Sequence, residues 1–326
     1  MSDAANAQKQ FPRVPWLDAA RGGAVIAMVV YHLAWDVSHF GLIETDVGLD
    51  PGWKRFAQAI AAAFLAIAGL SLALAFRAGF DPRGFAKRLC VVGGAAALVS
   101  AGSYALFPDR FIFFGILHCI AAASVVALAF RAAPWGVTLA VAVLVLALPS
   151  IVRAEVFSHP ALIWLGLGVR EPVSNDFVPL LPWAGFLLAG LALGQALGQA
   201  GPVRAGRAGG PGWLRRMGRW SLPVYLIHQP LLFGVFHAAG ALGLVTLQPE
   251  VKVFVQSCAI DCETAGGREA VCLRACACAA RGLRSLPLWP RVVANRVTDA
   301  DEAEMARIGR ACFTQADSTA PAAAKP

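Results

Sequence analysis

The stretch Phe56-Ala57-Gln58-Ala59-Ile60-Ala61-Ala62-Ala63-Phe64-Leu65-Ala66-Ile67-Ala68-Gly69-Leu70-Ser71-Leu72-Ala73-Leu74-Ala75-Phe76 carries no charged side chain, and Lys54-Arg55 and Arg77 close it at either end. A helix of about 20 apolar residues spans the hydrocarbon core of a bilayer, so this segment is long enough to cross. Six more stretches read the same way, at 18–41, 86–107, 111–131, 134–152, 177–199 and 221–245. Composition agrees: 58% of the 326 residues are hydrophobic and 15% are charged. Soluble chains are nearer 45–50% and about 25%, and a water-facing surface needs the charge that is missing here. The fold class expected is therefore all-α: a polytopic membrane helical bundle of about seven transmembrane helices, followed by a small disulfide-rich helical C-terminal segment. The fourth and fifth spans are separated only by Ala132-Ala133 before Pro134 and read as a tight hairpin. Gly93-Gly94 and Gly185, Gly190 and Gly194 permit close helix contact in lipid.

Orientation follows from the loops. With the N-terminus inside, the inner segments hold thirteen basic residues (Lys9, Arg13, Arg21, Arg77, Arg83, Lys87, Arg88, Arg131, Arg204, Arg207, Arg215, Arg216 and Arg219). The outer loops between spans hold five: Lys54, Arg55, Arg110, Arg153 and Arg170. Lys and Arg accumulate in cytoplasmic loops, which favours a cytoplasmic N-terminus, an extracytoplasmic C-terminus and a place in the cell (inner) membrane. The net charge of +8 is thereby explained by topology, and no basic stripe or nucleic-acid motif points to a nucleic-acid partner. The first apolar run is too long for a cleaved signal and reads as a retained helix. The expected organisation is a cytoplasmic tail at 1–16, a transmembrane domain at 17–245, a cysteine-rich extracytoplasmic helical domain at 249–315 and a disordered tail at 316–326. Within it, 200–212 is a flexible inner loop, and 152–176 is the longest outer loop of the membrane part.

Ionisable residues inside a span cost about 2.5–3.5 kcal/mol each on the insertion scale and mark a cavity or a partner. The first span holds Asp18, Arg21, His32, Asp36 and His39. At 100° per residue all five fall within about 60° of one another, a stripe that faces the bundle interior rather than lipid. His32 and Asp36 are one turn apart, and a carboxylate beside an imidazole orients the ring and raises its basicity, as a general base requires. A packing pair is the bland alternative. His118, in Gly115-Ile116-Leu117-His118, and His228, in Tyr225-Leu226-Ile227-His228, are further intramembrane candidates, although a lone buried histidine is more often a hydrogen-bonded core residue than a catalyst. No histidine pattern has metal-ligand spacing, so no metal is expected in the membrane part.

The run Trp16-Leu17-Asp18-Ala19-Ala20-Arg21-Gly22-Gly23, continued through Met28 to Tyr31-His32, resembles the opening of the heparan-alpha-glucosaminide N-acetyltransferase catalytic-domain family of transmembrane acyltransferases. Gly115-Ile116-Leu117-His118, Leu181-Pro182-Trp183 and Tyr225-Leu226-Ile227-His228 also resemble its bacterial members, and the likeness covers about residues 13–240. The resemblance implies an acetyl or acyl transfer from cytoplasmic acetyl-CoA to an amine or hydroxyl of a saccharide-like acceptor across the membrane. It makes His39 the candidate for the family's far-side histidine. It also marks a departure, because His32 stands where the animal enzyme has Asn. Phosphates of the donor would meet Arg21, Arg215, Arg216 and Arg219, for which positive-inside anchoring is the competing reading. His32 held by Asp36 would deprotonate the acceptor, or a histidine would carry the acyl group covalently. Expected partners are acyl-CoA, the acceptor, the lipid bilayer and, as one option, a second copy in a homodimer. Two other function classes compete: a transporter or ion pathway using the same stripe, and a non-catalytic scaffold for the tail.

Six of the eight cysteines crowd the last quarter: Cys258, Cys262, Cys272, Cys276, Cys278 and Cys312. Residues four apart share a helix face, so two Cys-x3-Cys pairs flanking Ala265-Gly266-Gly267 read as an antiparallel helical hairpin with Cys262 meeting Cys272 and Cys258 meeting Cys276. Cys278 is left for Cys312, on a last helix capped by Asp299 with Glu302 three residues on. Zinc is the rival for paired cysteines; an oxidising outer compartment favours disulfides.

Overall fold

The computed structural model describes residues 14–43, 45–48, 50–199 and 209–318. The expected tail 1–16, the inner loop 200–212 and the C-terminal tail 316–326 thus lie largely outside the described residues, as do Lys9, Arg13, Arg204 and Arg207. All regular structure among the described residues is helical. The chain folds into two units, one formed by Met1–Val30 with Arg55–Gln229, the other by Tyr31–Lys54 with Pro230–Pro326.

The first unit takes the first part of α1 (Pro15–His39), most of α2 (Pro51–Arg77), α3 (Pro82–Leu106), α4 (Ile116–Ala127), α5 (Trp135–Ile151), α6 (Leu180–Gln199), α7 (Gly212–Arg219) and the first part of α8 (Ser221–Ala241). α1, α2, α3, α6 and α8 are long and apolar enough to cross a membrane. The expected fourth and fifth spans are shorter apolar helices, Ile116–Phe130 (the end of it a 3-10 turn) and Trp135–Ile151. The chain is a multi-pass membrane protein, with five helices of full crossing length and two shorter apolar helices among the described residues.

The fourth span is short for a local reason. Residues 111–115 are not helical, and neighbouring side chains and backbone satisfy their polar groups. Ser103 Oγ accepts from Ile112 N–H at 2.9 Å and Ser100 Oγ donates to Ile112 O at 2.5 Å. Ser174 Oγ donates to Phe111 O at 3.0 Å, and the amides of Asn175 and Val178 donate to Arg110 O and Phe114 O. Irregular backbone at membrane depth survives only where protein supplies such partners. The core of this unit centres on α6, whose Leu187, Leu188 and Leu191 pack with Leu65 and Leu72 of α2 and with Ala123, Ala127 and Ala142. Gly69 of α2 faces the carbonyl of Leu187, and Gly190 of α6 faces the carbonyl of Ala66, each so closely that a Cβ would overlap the backbone opposite. Small residues on both partners let these two helices approach backbone to backbone.

The second unit joins the end of α1, residues 40–54 and the end of α8 to α9 (Pro249–Thr264), α10 (Glu269–Arg284), α11 (Trp289–Val293) and α12 (Asp299–Ser318). Three disulfides staple it: Cys258–Cys276, Cys262–Cys272 and Cys278–Cys312, with Cα separations of 5.8, 5.7 and 5.6 Å. These are the expected pairings, and they displace the zinc reading of the same cysteines. Gly266, at φ +92°, makes the turn between α9 and α10. The cap of α12 is one residue earlier than expected. Thr298, not Asp299, receives the Asp301 amide at 3.4 Å, and Asp301 reaches back to the Thr298 amide at 3.0 Å. Thr-x-x-Asp thus forms the reciprocal box that Asp299 and Glu302 were expected to form. Asp301 is shared, because Arg291 grips it with two hydrogen bonds of 2.9 and 2.6 Å that hold its carboxyl well below the usual range.

Candidate active site

The far half of α1, from Tyr31, carries three of the expected residues in the second unit. Asp36 is wholly buried, at 0% exposure, on a helix that otherwise reads as a span. His32, one turn back, is half-buried with its ring edge-on to Tyr31 at 5.5 Å. His39 stacks on Trp35 at 4.8 Å and 9°, with Phe233 of α8 5.6 Å away. The buried Phe40 closes the helix end among Phe233, Phe236 and His237. The side chain of Ser38 accepts from Val47 N–H at 3.2 Å, which ties the following loop to the same helix end.

His118 and His228 belong to the first unit, and their hydrogen bonds assign them different states. The Gly115 amide donates to His118 Nδ1 at 3.2 Å, so a neutral His118 carries its proton on Nε2, which lies 3.3 Å from Ser100 Oγ. Both ring nitrogens are then engaged, and the ring caps the start of α4. His228 is the reverse. Its Nδ1 lies 2.7 Å from the Tyr225 carbonyl, which can only accept, so Nδ1 carries the proton and Nε2 the basic lone pair.

Asp176, which the sequence marks only as an outer charge, stands at the start of α4, where its Oδ2 accepts from Ile116 N–H at 3.3 Å. Burial pushes its carboxyl up to about 6 although the amide pulls the other way. Its only advance signal was its place just before the sixth span. The partner amide lies 60 residues earlier, a contact that no local pattern shows.

The other end of α1 is cationic. Arg21 pairs with Asp18 at 3.1 Å and donates to Ser71 Oγ of α2 at 3.0 Å. Arg88 of α3, read from the sequence only as a topology marker, lies within electrostatic reach of Arg21. α7 packs against this end through Gly218, which faces the Asp18 carbonyl, and Gly22, which faces that of Leu214. Arg215, Arg216 and Arg219 are thereby carried on a helix that touches the turn holding Asp18 and Arg21. Arg215 is half-buried, while Arg216 and Arg219 are exposed. Guanidinium groups grouped at one helix end suit phosphate oxygens, which they bind in bidentate fashion.

The family model described as heparan-alpha-glucosaminide N-acetyltransferase, catalytic, matches residues 13–230. Comparison with curated proteins and with solved structures gave no match. The matched region contains every residue described above from Asp18 to His228, and it ends before α9 to α12. The chain therefore belongs to the heparan-alpha-glucosaminide N-acetyltransferase catalytic-domain family.

Proposed function

We propose that this protein is a membrane acyltransferase that moves an acetyl or acyl group from cytoplasmic acyl-CoA to an amine or hydroxyl of a sugar-like acceptor on the far side of the membrane. The observation that carries this reading is a fully buried carboxylate, Asp36, one helical turn from His32 inside a matched catalytic domain. A carboxylate buried in a span is costly unless it serves a partner, and an imidazole one turn away is the partner that acid–base chemistry would use.

In this reading Arg21, Arg215, Arg216 and Arg219 hold the donor phosphates at the inner end of α1. Asp36 orients His32. His32 takes the proton from the acceptor nitrogen or oxygen as that atom bonds to the thioester carbonyl carbon. The carbon–sulfur bond breaks, and the leaving thiolate takes the proton back from the imidazolium. His39 belongs to the acceptor side of α1. In the first unit, His228 has its basic nitrogen defined by the Tyr225 carbonyl, and His118 supports the start of α4.

The test is turnover of purified protein in nanodiscs with acetyl-CoA and glucosamine, read as free thiol and as acetylated amine. Thiol release that depends on glucosamine supports the proposal. Failure both to bind and to consume acetyl-CoA contradicts it.

A further inference from the structure

Lys252 lies outside the matched region, in the first turn of α9, and its position is poor for helix stability. It is 6% exposed, and a cation near a helix N-terminus opposes the helix dipole. A buried ammonium also carries a desolvation cost. Its surroundings are those of the α1 site. The ammonium lies 4.6 Å over the Trp35 ring and 3.7 Å from Asp46 Oδ1. Trp35 precedes the buried Asp36 and stacks on His39. Backbone contacts hold the arrangement: Gln248 N–H donates to Phe40 O at 2.9 Å, and Gly41, at φ +72°, lets the Gln248 carbonyl approach where a side chain would collide. Lys54 and Glu269, paired at 3.2 Å, tie the start of α2 to α10.

We propose that Lys252 is a positioning residue of the transfer site. It fixes the Trp35 ring, and through it the stacked His39, so that the stapled helices α9 to α12 form part of the acceptor side of the enzyme and are not a separable appendage. The inference rests on the acyltransferase reading of α1. The disulfide between Cys258 and Cys276 lies on the same helix as Lys252 and holds α9 to α10, which gives the staples a function at the site as well as in folding.

The variants are Lys252→Met, which keeps an apolar stem without charge, and Lys252→Arg, which keeps a cation over the indole. The full-length protein is used in nanodiscs, after confirming that each variant is monodisperse and has its three disulfides. With glucosamine as acceptor, kcat/KM for the amine is expected to fall about ten- to thirtyfold in Lys252→Met, the loss of a desolvated cation–π contact, and to recover in Lys252→Arg. Acetyl-CoA affinity should stay at the wild-type value. A second readout needs no turnover: carbethoxylation of His39 by diethyl pyrocarbonate, followed by mass spectrometry, should be faster in Lys252→Met and unchanged in Lys252→Arg. Equal losses toward donor and acceptor, no rescue by arginine, or an unchanged His39 modification rate would overturn the proposal. An inactive wild-type protein would instead defeat the acyltransferase reading, while the His39 rate would still decide whether Lys252 positions that ring.

Discussion

Asp36 and His32 sit one turn apart on α1, and in the proposed mechanism they have separable tasks. Replacing His32 by Ala removes the base and should lower transfer about 10²- to 10⁴-fold. Asp36→Asn keeps the shape but loses the charge that orients the ring, and it should reduce kcat with little change in the KM for acetyl-CoA. Initial rates in nanodiscs check both, and wild-type turnover in His32→Ala would remove that residue from the mechanism. Asp176 makes a different prediction. Its carboxyl titrates near 6, above the ordinary value, so its protonated form is the one that the fold favours. The stability it contributes is full below the ordinary carboxyl range and is lost as pH rises through about 6. The melting temperature of the wild-type protein should therefore fall relative to that of Asp176→Asn between about pH 4 and pH 6, with parallel curves contradicting the assignment.

At the scale of elements, the spans were legible because hydropathy is a local property, and so was the disulfide pattern. Two Cys-x3-Cys pairs on either side of a glycine turn leave little choice once both arms are helical. The fourth span was misjudged at its start because hydropathy cannot separate an apolar helix from an apolar extended segment. What breaks the helix there is pairing of residues 110–114 with 174–178, which is a tertiary fact. The same pairing hid Asp176, and the contact of Lys252 with Trp35 was hidden likewise, since 217 residues separate them in the chain. The α12 cap was missed by one position because Thr298 and Asp299 are both good capping residues, and Arg291, from α11, meets Asp301 rather than Glu302. Gly190→Val places a branched side chain against the Ala66 carbonyl and should force α2 and α6 apart, lowering the yield of folded, monodisperse protein, whereas a substitution at Gly93, which faces open space, should be tolerated. Replacing Cys278 and Cys312 together by Ala opens the longest of the three disulfide loops, and it should destabilise α12 by about 2–4 kcal/mol in a denaturant titration that follows the C-terminal helices.

For the whole molecule, the proposed function rests on α1 as a through-membrane element. It carries Asp18 and Arg21 near one end and His32, Asp36 and His39 toward the other, and its 25 residues extend about 37 Å, enough to cross the hydrocarbon core. Donor binding at the arginine end and acceptor activation at the histidine end would then make transfer vectorial. Sealed proteoliposomes with glucosamine trapped in the lumen and acetyl-CoA, which does not cross the bilayer, added outside test this directly. Vectorial transfer leaves acetylated glucosamine in the lumen of those vesicles whose cytoplasmic face points outward, and none when the protein carries His32→Ala. Acetylation confined to glucosamine on the same side as acetyl-CoA, or no acetylation from either side, would contradict it.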